Sequence, residues 1–231
     1  MDRNTQHADT LAAGGRSWGG SSVLEKNKVL RSTYALLAMT LLFSAVMATV
    51  SVVMAVPHSF ALVASIAAIV MLMFVLPKFE NSGAGIGLVF LSTGLLGLGL
   101  GPMLSRYLAV PGGTEIVATA LGGTGIIFLA LSAYVLTTKK DFSFMGGFLF
   151  VGILVLFGAI LVNLFLQIPV MSMVISAVMI MLMSGFILFD TSRIVNGGET
   201  NYVRATVSLF INIFNLFTSL LHLLGIMGGD D

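Results

Sequence analysis

Seven apolar runs follow one another between residues 32 and 227, separated only by short breaks. A helix needs about 20 apolar residues to cross a bilayer, because the hydrocarbon layer is about 30 Å thick and each residue rises about 1.5 Å. The runs cover residues 32–56, 60–76, 83–104, 115–138, 144–166, 170–195 and 202–227. The breaks are Pro57, Pro77-Lys78, Gly101-Pro102, Lys139-Lys140-Asp141, Gln167 with Pro169, and Asn196-Gly197-Gly198. Proline removes a backbone donor and blocks the preceding turn, so these positions read as helix ends. Transmembrane β-strands are a poor reading of runs this long and this continuous. Composition agrees: 57% of the 231 residues are hydrophobic and only 9% are charged. So few charges do not coat a water-facing surface, whereas lipid accepts the rest. The expected fold is all-α, a polytopic seven-helix transmembrane bundle over 32–227. It is flanked by a flexible tail at 1–31 and a short C-terminal tail at 228–231.

The 1–31 segment is polar, with Gly/Ser runs such as Gly19-Gly20-Ser21-Ser22. It reads as mobile apart from a helical turn near Val23–Leu30. It does not read as a signal peptide, since the apolar run behind it lasts about 25 residues against the roughly 7–15 of a signal sequence.

Lysine and arginine set the orientation. With the N-terminus inside, the inner segments hold Arg3, Arg16, Lys26, Lys28, Arg31, Lys78, Lys139, Lys140, Arg193 and Arg204, and the outer segments hold Arg106 alone. The expected topology is a cytosolic N-terminus and an outer C-terminus. Glycine spacing suggests close helix contacts at Gly83/Gly87, Gly97/Gly101 and Ala118/Gly122.

Most chemistries find no support. Net charge is +1, so nothing points to nucleic acid, and cysteine is absent, which removes disulfides and thiolate chemistry. Gly83-Ala84-Gly85-Ile86-Gly87 opens a span and follows no strand, so it is not a nucleotide loop. The three histidines are scattered at His7, His58 and His222, without a nucleophile motif or a metal-ligand cluster. No enzyme, metal site or cofactor is expected.

Two features remain. Asp190 lies about five residues from the inner end of span six, where a charge costs several kcal/mol unless hydrated or paired. Arg193, three residues on, shares a helix face with it. Asp190 reads either as part of a structural ion pair or a solvated helix end, or as a titratable, ion-contacting carboxylate. Span seven carries Ser208, Asn212, Asn215, Ser219 and His222 at spacings of four, three, four and three. That rhythm lines one helix face, which must point inward and makes span seven the centre of the bundle. The stripe is either interhelical hydrogen bonding or the lining of a narrow polar path.

The segments Phe189-Asp190-Thr191-Ser192, Gly197 through Ala205, and Leu209-Phe210-Ile211-Asn212-Ile213-Phe214-Asn215-Leu216-Phe217 resemble the C-terminal signature of the Bax inhibitor-1 family. These are seven-span proteins linked to calcium leak and to suppression of cell death in eukaryotes. The resemblance covers about residues 20–227. Lys28 through Tyr34, Ser132 through Asp141, and Gly197 through Ser208 look most like the bacterial inner-membrane branch that modulates the membrane protease FtsH. The resemblance implies a protein of the cytoplasmic membrane, with a periplasmic C-terminus, that binds FtsH and slows its action on membrane substrates. The 1–31 tail then reads either as a handle the protease grips or as an inert carrier of topology-fixing charges. The alternative implied function is a calcium, cation or proton leak through Asp190, with weak cation binding. In leak-forming members a second aspartate on span seven pairs with the first. The matching position here is Asn212, and an amide shares no proton with a carboxylate.

Overall fold

The structure, a computed structural model, describes residues 17–228, with side chains from Asn27 onward. The readings of 1–16 and 229–231 as tails lie outside the described residues. Among the described residues seven helices are long and apolar enough to cross a membrane. They are α1 (Ser17–Val53), α2 (His58–Phe79), α3 (Gly83–Leu108), α4 (Gly113–Thr138), α5 (Gly146–Leu166), α6 (Pro169–Asn196) and α7 (Tyr202–Met227). The expected seven-span helical bundle is therefore what the chain forms.

Three boundaries differ from the sequence reading, each for a local reason. The helix of α1 begins at Ser17, so part of the segment read as a flexible tail is helical, and its apolar stretch starts at Asn27. α2 runs past Pro77 to Phe79 because a π-turn over Met71–Val75 widens the backbone just before the proline. α3 runs through Pro102 to Leu108. A proline at 102 leaves the carbonyl four residues earlier, at Leu98, without its helical donor. Ser51 Oγ of α1 donates to that carbonyl at 2.8 Å. The repair needs close backbones, and Gly97 and Gly101 provide them. A Cβ on Gly97 would run into the Ser44 carbonyl of α1, and one on Gly101 into the Ser51 side chain. Gly83, Gly87 and Gly122 face open space, so the other two small-residue pairs make no such contact.

α7 is the hub. It packs against α1, α3, α4 and α6, while α2 rests mainly on α3 and α5 mainly on α6. Each of the three buried apolar clusters draws on α7, through Phe210 and Ile213, through Leu216, and through Phe217 and Leu221. Outward-facing side chains such as Leu42, Phe148, Phe157 and Phe165 are apolar and exposed, as a lipid-facing surface requires.

Candidate functional site

The α6–α7 hairpin builds the site. α6 ends at Gly197, whose φ of 83° closes the helix as only glycine does without strain. The amides of Gly198 and Glu199 then both donate to the Arg193 carbonyl, at 2.8 and 3.1 Å. Asn201 caps α7: its Oδ1 accepts from the amides of Val203 and Arg204 at 2.9 and 3.2 Å. This tight turn sets α6 and α7 side by side in opposite directions.

Asp190 and Ser208 are each six residues from their helix ends, which puts both about 9 Å inside the bundle. The Asp190 side chain is buried, and its Oδ2 accepts from Ser208 Oγ at 2.5 Å and from Asn212 Nδ2 at 2.7 Å. Both donors are neutral. Such bonds offset part of the cost of holding a carboxylate away from water. No protein donor reaches Oδ1 among the described residues.

Arg193 does not take part. Its guanidinium turns to Glu199 at 3.6 Å, donates to the Gly198 carbonyl at 3.2 Å and lies over the Phe189 ring. Of the readings open for Asp190, an ion pair with Arg193 does not form; Arg193 pairs with Glu199 instead. The reason is the tight turn after α6, which brings the buried Glu199 within reach of Arg193.

The polar stripe of α7 divides along its length. Ser208 and Asn212 serve Asp190, while Asn215 donates to the Ile211 carbonyl of its own helix at 2.9 Å. Ser219 makes no side-chain hydrogen bond among the described residues. His222 Nδ1 sits 3.0 Å from Ser176 Oγ of α6. That contact lies ten residues beyond Asn212, about 15 Å along the helix. A 3.5-residue rhythm on a 3.6-residue helix drifts by about 40° over two heptads, so one stripe meets several neighbours.

Sequence reasoning missed the polar clasp around this hairpin. Arg204 bonds Glu80 at the end of α2 and reaches Glu199 at 3.9 Å. Asn201 Nδ2 donates to the Glu80 carbonyl and to Asn81 Oδ1. On the other flank, the Phe142 amide donates to Ser192 Oγ at 2.8 Å, and Ser192 donates to Asp141 at 3.4 Å. Both loops at this end of the bundle, 2–3 and 4–5, are thus tied to the last hairpin. The cap signal at Asn201 is visible in the sequence; the partners across more than 100 residues are not. Five buried hydroxyls, of Thr33, Tyr34, Ser92, Ser132 and Thr191, have no partner among the described residues. Among the described residues no three His, Cys, Asp or Glu side chains converge as a metal site.

A multi-pass helical membrane protein with a buried carboxylate held by its last two spans is the class these features define. The chain belongs to the Bax inhibitor-1 family: residues 26–229 match the family described as Inhibitor of apoptosis-promoting Bax1. It is 53% identical over 208 residues to an uncharacterized membrane protein of Vibrio cholerae, covering 90% of this chain and 93% of the relative. It is 49% identical over 210 residues to the modulator of FtsH protease YccA of Escherichia coli K12, covering 91% and 95%. The same identity and coverage hold for the inner membrane protein YccA of Escherichia coli O6:H1.

Proposed function

We propose that this protein is a non-enzymatic protein of the bacterial inner membrane that binds the membrane protease FtsH and restrains its action on membrane substrates. The observation that carries this reading is near-full-length similarity to a relative named for modulating that protease. The site's chemistry is compatible with it, since Asp190 is held by two neutral donors, Ser208 and Asn212. The ten-to-one distribution of Lys and Arg supports a cytosolic N-terminus, which puts the clasped loops on the side where a cytosolic protease ring works.

Affinity purification of the full chain from detergent-solubilised membranes tests the binding, with the half-life of a membrane substrate of FtsH as the functional readout. Co-enrichment of FtsH and a lengthened half-life are expected. Absence of both overturns the proposal. A reporter fused after Gly228 tests the topology, and cytosolic signal from it would contradict the outer C-terminus.

The second reading is a cation or proton leak. It is favoured by one observation, a buried carboxylate whose Oδ1 meets no protein donor among the described residues. Calcium flux into liposomes holding the purified protein, abolished by Asp190→Asn, would replace the first reading with this one.

A further inference from the structure

At the end of the bundle opposite the start of α1, a cavity of about 880 Å³ opens between the starts of α2 and α4 and the ends of α3 and α7. We propose that this cavity binds a phosphate-type oxyanion, carried by a lipid headgroup or free in solution, with Arg106 as its principal ligand.

Among the described residues the charge of the lining has one sign. Arg106 lines the cavity and no carboxylate among the described residues does; Glu115, in the first turn of α4, stands outside the lining. Arg106 forms no ion pair among the described residues, although Arg193 and Arg204 each find a glutamate. It is also the one Lys or Arg that the topology count leaves at this end. A guanidinium is permanently charged, and its fork of donors matches two oxygens of a phosphate.

Other groups at the rim favour an anion. His58, the first residue of α2, lines the cavity, and the helix there begins behind Pro57 with no side-chain cap. The free amides of that first turn form the positive end of the helix dipole. Tyr107 brings a hydroxyl, and its ring is seated against Gly225 of α7, where a Cβ would collide with it. Met103, Val110 and Ile116 supply apolar wall beside these polar groups. Polar donors next to apolar wall at the end of the spans suit an amphiphile as well as a bare anion.

The test uses the full-length protein purified in a neutral detergent, with two probes added separately, a phosphatidylglycerol and inorganic phosphate. Native mass spectrometry reads retained lipid, and thermal unfolding reads stabilisation by either probe. Arg106→Gln is compared with Lys78→Gln, a charge removed at the opposite end of the bundle. Losing the bidentate, charge-assisted contact is expected to weaken the effective probe about tenfold in Arg106→Gln and to leave Lys78→Gln like wild type. Dependence on Arg106 with phosphatidylglycerol alone identifies a lipid headgroup, and dependence with inorganic phosphate identifies a free anion. If Arg106→Gln does not fold, His58→Gln decides, with a smaller weakening expected. Binding of both probes unchanged by removing these side chains overturns the site and leaves Arg106 as a residue that merely reaches for the membrane surface.

Discussion

Asn212 donates its side-chain amide to Oδ2 of Asp190 at 2.7 Å, across the interface of α6 and α7. The two residues are 22 positions apart and both are buried. Replacing Asn212 by Leu removes a donor and leaves the carboxylate less satisfied, at a cost of about 1–3 kcal/mol. Replacing both Asp190 and Asn212 by Leu removes the polar pair together. The double variant is expected to lose less stability than the two single losses added, since residues in one network couple. Thermal unfolding in detergent of the four proteins measures the coupling. Strict additivity would show that the contact contributes nothing.

Ser51 and Pro102 form a second coupled pair, linked through the Leu98 carbonyl. Ser51→Ala leaves that partly buried carbonyl without a donor and is expected to cost about 1–3 kcal/mol. Pro102→Ala restores the amide that a regular helix would use. In that background Ser51→Ala becomes nearly neutral. A full cost for Ser51→Ala in both backgrounds would contradict the proposed repair.

The glycines of α3 make opposite predictions. Gly97→Val forces α1 and α3 apart, because the added atoms meet the Ser44 backbone. Overpacking of this kind costs about 1–3 kcal/mol, and more where the obstacle is backbone. Gly87→Val adds atoms into open space and should not destabilise by packing. Comparable loss of folded protein for both variants would refute the distinction.

Asp141 gives the 4–5 loop a pH dependence. Hydrogen bonding from Ser143, through its side chain first and its backbone amide next, holds the Asp141 carboxyl below the usual carboxylate range, with Ser192 adding to it. The folded value is therefore lower than the unfolded value of about 3.9. The contribution is complete above the unfolded value and is lost as pH falls through the folded one. Asp141→Ala should lower the unfolding temperature at pH 7 and make no difference at strongly acid pH. Hydrogen exchange at the Ser143 amide follows the same loop directly. An effect of equal size at both pH values would show that the charge is not involved.

The Asp190 site shows how far residue patterns reach. The burial of Asp190 and the inward face of α7 follow from the cost of polar groups in lipid, which applies to any span. The pairing of Asp190 with Ser208 also follows once two spans are joined by a short turn, because equal distances from the turn place residues at equal depth; Asn212, one helical turn deeper, reaches the same oxygen only through the tertiary packing. Arg193 went elsewhere because helix spacing says which residues share a face, not which of two carboxylates wins. Glu199 won through the two amide bonds that fold the turn back on the Arg193 carbonyl.

The amino-acid sequence by itself determined the number of spans, their all-helical character, the family and the central place of α7. Each rests on a repeated or local property: apolar length, the need to satisfy every backbone group inside lipid, and a polar face that lipid rejects. Only the tertiary structure decided whether a local signal held once neighbours arrived. Pro102 reads as a helix end, yet α3 continues because Ser51, 47 residues away, bonds the carbonyl the proline abandons. Gly97 and Gly87 look alike in the sequence, yet only Gly97 meets a neighbouring backbone. Arg106 looks like a stray outer charge, yet it lines a cavity to which four helices contribute. In each case the outcome depends on atoms brought together from distant parts of the chain, and local spacing does not contain that information.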